Sequence, residues 1–259
     1  MANSSSGESV LERAAKVLSA FTADHPDMSA AEVARATGLS SSTAHRLCRQ
    51  MVDAGLLDRL GTGRFVIGGR AWDAFLQTSP VERLRLHAHP VLERLHAQLR
   101  CYVALAIPDF PHRQILNVDY RDEYGQASIL AAHGERADIF TTSAGIAFLA
   151  FGPRQWLDEL VAEGPVLKPV FFGDPVDTSL VEEQVRICRE RGHSHIIGGV
   201  VAENTAIAAP VRGARGDVVA AMSATLLTKD ADHDEVAGAV IGAAKELSER
   251  ISNDRKFTF

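Results

Sequence analysis

A row of polar side chains in the segment between Ser40 and Gly55 has the clearest chemical potential in this sequence. Its members are spaced at i, i+3, i+4, i+7 and i+11, and they are Ser42, His45, Arg46, Arg49 and Asp53. That spacing places them on one face of a helix. Hydroxyl, imidazole and guanidinium groups can bond to base edges and phosphates in a DNA major groove. A solvated helix surface shows the same pattern, so the neighbouring elements must decide between the two interpretations.

The preceding segment predicts the partner helix that such a row needs. Ser29, with Glu32 three residues later, forms a capping-box signature that opens a short helix over 30–37. Gly38 suits a tight turn, and the serines that follow it suit a helix N-cap. The third helix has its own apolar face, formed by Ala44, Leu47, Met51 and Val52. Two helices joined by a short turn containing glycine predict a helix-turn-helix.

The flanking segments predict a first helix and a hairpin wing. Apolar residues at three- and four-residue spacing predict a helix with one buried stripe, formed by Val10, Leu11, Ala14, Val17, Leu18 and Phe21. Residues 56–60 and 64–67 are typical of strands, and 61–63 of the tight turn between them. Arg59 and Arg64 flank the tip of this wing, where a phosphate backbone or minor groove would lie.

Composition limits the class of protein. The 259 residues predict two domains, and no apolar run approaches the length of a membrane span. The three cysteines lack the spacing of a disulfide framework or zinc site, which favours a reducing cytoplasm. Acidic and basic residues balance within residues 1–80, so the net charge of −6 belongs entirely to the remainder. That acidic remainder argues against nonspecific wrapping of nucleic acid.

The larger part of the chain predicts an α+β domain. A helical stripe over 80–99 connects it to the first domain, with Pro90 either kinking this helix or starting a new one. His87, His89 and His96 along it suggest packing or solvation rather than metal binding. Strands are predicted at 101–107, 114–120, 128–132, 194–201, 205–211 and 218–226, and helices at 71–77, 144–150, 180–191 and 233–252. This order predicts a mainly antiparallel sheet.

The first domain resembles the IclR family of bacterial transcription regulators. The motifs that carry the resemblance are A-x-E-V-A at 30–34, G-L-S at 38–40, S-T-A-H-R-L at 42–47, G-L-L at 55–57 and R-F-V-I-G at 64–68. The resemblance implies a winged helix-turn-helix in which Ser42, Thr43, His45, Arg46 and Arg49 contact DNA. Ser41 stands where relatives often have lysine, which affects the operator sequence. The implied division is a disordered tail (1–7), a DNA-binding domain (8–78), a linker helix (79–99) and an effector-binding and oligomerisation domain (100–259).

The second domain resembles the GAF-like effector domain of that family. R-E-R-G-H at 189–193, A-I-A-A-P-V at 206–211 and V-A-A-M-S at 219–223 are similar to its motifs. Where the family has L-H-x-T-x-x-G-K, this chain has neither the His nor the Lys, and 196–199 lack the usual acidic pair. The implied effector pocket is formed by Ile129, Ser143, Ala144, Ile196, Ala206, Ser223 and Thr225. Such a lining suits an aromatic or relatively apolar ligand, unless these side chains only fill core.

The same residues argue against catalysis and cofactors. Ser143 lacks the glycine that a nucleophile elbow needs two residues earlier, and no metalloprotease or phosphate-loop motif is present. His193 and His195 favour a strand surface, and Cys188 a buried, inert thiol. We therefore expect no enzyme, cofactor or metal. The expected partners are double-stranded operator DNA, a small-molecule effector and a second copy, as a dimer or dimer of dimers. The rival hypothesis is a second domain that only oligomerises.

Overall fold

Serine side chains begin each of the first three helices of the chain. In the computed structural model, Ser9 and Ser29 each form a complete capping box, with Glu12 and Glu32 respectively. The structure describes residues 8–22, 24–125, 134–162, 168–170, 173–176, 178–199, 201–230, 232–255 and 257. The expected tail (1–7) and the expected strand at 128–132 lie outside these residues. The chain divides into two units, Met1–Ser79 and Pro80–Phe259.

The first unit is a helix-turn-helix followed by a two-stranded hairpin. Its elements are α1 (Val10–Ser19), α2 (Ala30–Thr37), α3 (Ser41–Asp53), β1 (Leu57–Arg59), β2 (Phe65–Ile67) and α4 (Gly69–Thr78). Gly38 ends α2 with φ +70°, a left-handed conformation that glycine adopts without strain. A Cβ on Gly68 would lie 2.5 Å from the Gly55 carbonyl oxygen, so the return of the hairpin to α3 requires this glycine.

A shared core unites the three helices with the hairpin. Its fully or nearly fully buried members include Val17, Val33, Ala44, Leu47, Met51, Leu57 and Phe65. The expected apolar stripe of α1 is only partly buried, because Val10 and Leu11 at its start remain 56% and 81% exposed. Met28 and Phe65 exchange two backbone hydrogen bonds of 2.9 and 2.7 Å, which join β2 to the residue before α2's cap.

The second unit has a six-stranded antiparallel sheet between helices. Its strands are β3 (Tyr102–Asp109), β4 (Gln114–Arg121), β5 (Arg136–Asp138), β8 (Ser194–Ile197), β9 (Asn204–Arg212) and β10 (Val218–Leu227). They lie in the order β5-β4-β3-β10-β9-β8, while β6 (Lys168–Val170) and β7 (Gly173–Val176) form a separate pair. Its helices are α5 (Pro80–Leu99), α6 (Ser143–Phe151), α7 (Arg154–Ala162), α8 (Thr178–Arg191) and α9 (His233–Ser252).

The two faces of this sheet have different helical partners. Helices α5 and α9 pack on one face, whose core includes Leu92, Ile207 and Met222. Helix α6 packs on the other face, in a core with Ala208 and α8. Because strand residues alternate in direction, neighbours along one strand contribute to different cores.

The segment expected to link the units is an integral part of the second one. Helix α5 continues through Pro90, which therefore does not start a new helix. Its inward face is buried among strand residues, and its members are Leu84, Ala88, Val91, Leu92 and Leu95. The prediction of a linker helix (79–99) came from this apolar stripe and from the family resemblance, and such a stripe needs a covering surface.

Other boundaries differ where local patterns are weak. Strand β8 ends at Ile197 rather than 201, because Gly198 turns the chain with φ +68°. Four short elements were not predicted from the sequence: β5, β6, β7 and α7. None of the described helices combines the length and apolar character that crossing a membrane requires.

Candidate functional site

Helix α3 presents its polar row to solvent. Ser41, Ser42, His45, Arg46 and Arg49 are exposed, while Thr43 is half-buried. On the opposite side Ala44, Leu47, Cys48 and Met51 are buried, so packing against the other helices fixes the orientation of the row. Within the part of the chain that the structure describes, Arg46 and Arg49 have no acidic partner. Their guanidinium groups are therefore available to an external acceptor.

The start of α3 is held by its cap. The Ser40 hydroxyl oxygen accepts the Thr43 backbone N–H at 3.3 Å, and this hydroxyl donates to Thr43 Oγ1 at 2.8 Å. Ser42 Oγ lies 3.3 Å from Ser40 Oγ. The hydroxyl of Thr43 is thus engaged in the cap, whereas Ser41 has its side chain exposed at the helix N-terminus. Helix N-termini attract phosphates through their free N–H groups and positive dipole.

The two arginines of the wing have different environments. Arg59 is exposed and has no acidic partner among the described residues. Arg64 is half-buried and forms an ion pair with Asp27, whose backbone carbonyl oxygen also accepts Arg64 Nη2 at 2.7 Å. Its Nη1 lies 2.9 Å from Glu32 Oε2. Arg64 therefore connects the wing to the start of α2 while its charge is balanced.

Electrostatics support this connection. The hydrogen bond and charge of Asp27 raise the pKa of the Arg64 guanidinium. The backbone and hydroxyl of Ser29, and then Arg64, lower the pKa of Glu32 to about 2. Sequence analysis identified Glu32 only as a capping residue and missed Asp27, which lies 37 positions before Arg64. The available signal was the acidic residue at position 27, just before a predicted cap.

The expected effector-binding residues share the α6 face of the second unit. Register pairs Ile196 with Ala206 and Ala206 with Thr225, in one row across β8, β9 and β10. A neighbouring row contains Ser194, Ala208 and Ser223. Cross-strand partners point to the same side of a sheet, as do residues two apart. Ile196 and Ser223 are buried, and Ala206 and Thr225 are half-buried. Ile129 lies outside the described residues.

A serine pair joins this face to α6. Ser194 Oγ donates to the Ser143 carbonyl oxygen at 2.6 Å, in buried surroundings. Thr142 caps the same helix by accepting the Gly145 N–H at 3.1 Å. Ser143 and Ala144 are both buried, and Ala144 belongs to the core beneath the helix. The expected residues Ser143 and Ala144 are thus brought beside the row that contains Ser223.

Glycines set the distance between these elements. A Cβ on Gly145 would lie 1.9 Å from the Ile139 carbonyl oxygen, which no backbone adjustment of a few tenths of an ångström could relieve. A Cβ on Gly199 would lie 2.7 Å from both Ile196 Cγ2 and the Thr141 carbonyl oxygen. The turn after β8 therefore approaches the start of α6 closely, beside Ile196.

Two tyrosines extend the same rows and were missed by sequence analysis. Tyr102 pairs with Thr225, and Tyr120 pairs with Ala104, which in turn pairs with Ser223. The two rings stack with centroids 5.7 Å apart. Burial raises the pKa of Tyr102 and keeps its hydroxyl neutral. The alternation of residues along the predicted strands shows which side chains share a face. Placing the two tyrosines beside Thr225 and Ser223 also requires knowing how the strands pair. The two rows carry hydroxyl, methyl and aromatic groups and no charged side chain.

The remaining polar candidates have structural partners. His96 Nδ1 lies 2.8 Å from the Cys101 carbonyl oxygen, and His87 Nε2 lies 3.0 Å from Asp254 Oδ2. The latter carboxylate is too remote in sequence to have been anticipated. Burial raises the pKa of the Cys188 thiol to about 12, so the thiol remains protonated. His195 faces away from Ile196, on the other side of β8.

Comparisons with known proteins agree with these features. The IclR helix-turn-helix domain matches residues 10–61, and the bacterial transcriptional regulator IclR C-terminal domain matches residues 79–253. The acetate operon repressor of Salmonella typhimurium and the transcriptional repressor IclR of Escherichia coli are each 28% identical over 144 residues. These matches span 54% of this chain and 52% of each relative, so the chain spans about half the length of the curated relatives it matches.

A solved structure resembles nearly the whole chain. It is an IclR homolog from Microbacterium hydrocarbonoxydans complexed with 4-hydroxybenzoate, 29% identical, with a TM-score of 0.82. The similarity covers 94% of this chain and 99% of that one. The first matched domain covers the first three helices of the first unit and β1 of its hairpin, and the second covers most of the second unit. The chain therefore belongs to the IclR family of bacterial transcriptional regulators.

Proposed function

We propose that this chain is a transcription regulator that reads operator DNA with α3. The observation that carries the proposal is the exposed row on this helix, with two guanidinium groups that lack an acidic partner in the described structure. Ser41, Ser42, Thr43, His45, Arg46 and Arg49 would contact bases or phosphates. Arginine is suited to guanine and to phosphate because its donors form a fixed fork.

The wing contributes through Arg59 and is positioned through Arg64. Arg59 is exposed and has no acidic partner in the described structure, so it could reach the phosphate backbone, whereas a phosphate contact by Arg64 would compete with Asp27 and Glu32. We assign the phosphate contact of the wing to Arg59 and the orientation of the wing to Arg64. The sequence suggested that Arg64 contacts DNA together with Arg59. Because Arg64 is paired with two carboxylates, we propose instead that it orients the wing.

A dimer or a dimer of dimers is the proposed binding form. One recognition helix reads few base pairs, so specific affinity needs two half-sites roughly 34 Å apart or at a multiple of that distance. Exposed apolar side chains in the first unit support self-association, and they are Val10 and Leu11 on α1 and Trp72 and Leu76 on α4. Such side chains cost little in a monomer but gain from burial between copies.

An operator fragment selected from genomic DNA allows a direct test. Arg46→Ala and Arg49→Ala should each weaken operator binding by about tenfold to a hundredfold for every half-site contacted, since a good base contact contributes about 1–3 kcal/mol. Both side chains are exposed, so the melting temperature should not change. Arg154→Ala on α7 in the second unit, 84% exposed, is the matched control. Unchanged mobility shifts in both variants would exclude α3 as the reading helix.

The second unit is proposed as a sensor for an aromatic or otherwise weakly polar effector. Support comes from the uncharged rows on the α6 face, with Ser223 and Thr225 as hydrogen-bonding groups. The similar Microbacterium protein is described as complexed with 4-hydroxybenzoate, an aromatic compound. Few polar groups on an apolar lining discriminate ligands by orientation. We further propose that the chain acts by binding rather than by catalysis.

Calorimetry with two ligand classes tests the sensor. We expect 4-hydroxybenzoate to bind more tightly than pyruvate, and Thr225→Val to weaken that binding by about tenfold, the loss expected for one hydrogen bond. Operator binding should change when the ligand is added. Binding of small, highly charged acids alone would contradict the proposed ligand class. Operator binding that does not change with any ligand would favour a second unit that only oligomerises.

A further inference from the structure

A polar cleft of about 980 Å³ opens where the edge strand β8 meets the start of α9. Arg191, His193 and His195 line it from the corner between α8 and β8. Lys229, Asp232, His233 and Asp234 line it from the segment that enters α9. The volume is sufficient for a small metabolite.

The cleft is separate from the proposed effector site. His195 pairs with Ile207, which belongs to the core beneath α5 and α9. Its neighbour Ile196 points to the α6 face instead, because residues alternate along a strand. A ligand in this cleft would therefore contact the opposite face of the sheet from the effector.

Several groups in the cleft lack partners within the described part of the chain. Neither Arg191 nor Lys229 forms an ion pair among the residues that the structure describes. The rings of His195 and His233 meet edge to face, with centroids 4.6 Å apart. The Nε2 atoms of both rings are buried and find no hydrogen-bond partner among the residues that the structure describes. Burial, and then the neighbouring His233, lower the pKa of His195. A buried polar atom without a partner points to an acceptor that a ligand could provide.

The charges of the cleft determine which ligand fits. With neutral imidazoles, the two cations balance Asp232 and Asp234, and Asp232 is already engaged as the cap that accepts the Glu235 N–H. Each imidazole that gains a proton adds one positive charge. The described residues contain no group of three or more His, Cys, Asp or Glu arranged to hold a metal ion. An anion therefore suits the cleft better than a cation does.

We propose that this cleft binds a small dianion of the phosphate or dicarboxylate type and takes up protons on binding. Arg191 and Lys229 hold the anion, and the histidines add to its binding when they are protonated. Protonation of His195 without an anion is disfavoured by burial, and then by the neighbouring His233, Arg191 and His193. Asp234 favours it, and the bound dianion adds the larger counter-charge.

Sulfate is the first probe, because its charge does not change over the range in which histidine titrates. By calorimetry, sulfate should bind about tenfold more tightly near pH 6 than near pH 8, since histidine loses its charge between them. Titrations in two buffers of different ionisation enthalpy should show net proton uptake. Arg191→Gln combined with Lys229→Gln should abolish binding, whereas Arg154→Gln should not. Inorganic phosphate and succinate then distinguish the two ligand types.

Equal sulfate affinity at both pH values would overturn the proposal, and so would unchanged sulfate binding by the double variant. Zn²⁺ binding that requires His233, in a protein that does not bind sulfate, would also overturn it. Operator binding by the same variants, measured without added anion, separates this site from the proposed DNA-binding role. That binding should remain intact whether or not the cleft binds anions.

Discussion

The wing offers a sharp prediction because its two arginines differ in their partners. Arg59 is exposed and unpaired within the described structure, whereas Arg64 is paired with Asp27 and Glu32. Each phosphate contact releases condensed counterions and adds about 0.9 to the slope of log affinity against log salt. Arg59→Gln in a dimer removes two contacts, so the slope should fall by about 1.8. Raising the salt from 50 to 200 mM should therefore reduce the affinity of the variant by a factor roughly twelvefold smaller than for the unaltered protein.

The matched variant Arg64→Gln should behave differently. Its charge is already balanced by two carboxylates, so the slope should stay close to that of the unaltered protein. Loss of the connection to α2 should instead lower the melting temperature of the first unit. Fluorescence anisotropy over a salt series, with calorimetric melting, measures both effects. A fall in slope with Arg64→Gln but none with Arg59→Gln would refute the assignment of roles.

Two further predictions concern packing and pH. Gly145→Ala should destabilise the second unit by about 3 kcal/mol or more in calorimetric melting, because the new methyl group would meet the Ile139 carbonyl oxygen at 1.9 Å. Gly238→Ala in α9, where nothing lies within 4 Å, should be neutral or slightly stabilising; similar losses for both would contradict this account. The pKa of Glu32 is lowered to about 2, so its contribution to stability is complete above the ordinary value of about 4.5 and lost as the pH falls toward 2. An NMR titration of the Glu32 carboxyl with a midpoint near 4.5 would show that the contacts with Ser29 and Arg64 are absent in solution.

Elements defined by consecutive residues were predictable from the sequence. The limits of α2 and α9 coincide with those expected, since a capping residue precedes each helix and an apolar stripe lies within it. The hairpin of the wing was equally local, with a glycine turn between two short strands. The family motifs placed the candidate DNA-binding residues on α3, and the exposure of that row follows from the apolar face opposite to it.

Remote contacts could not be predicted in the same way. The helical stripe and the family resemblance suggested that α5 was a linker, but they did not reveal which strands cover its apolar face, nor that α9 covers it too. The rows that bring Tyr102 to Thr225 depend on a strand register joining residues more than one hundred positions apart. The ion pairs of Arg64 with Asp27 and Glu32 form because β2 folds back beside the start of α2.

The sequence by itself determined where helices begin, which faces are apolar and which helix carries a row suited to DNA. Those properties arise from interactions within a few residues, which spacing and residue type reveal. Only the tertiary structure decided that Arg64 is paired with carboxylates while Arg59 has no acidic partner among the described residues, and that uncharged rows lie beneath α6. It also decided that His195 and His233 meet in a cleft on the other face of the sheet. Burial and charge balance depend on which distant side chains become neighbours, and that depends on the whole path of the chain.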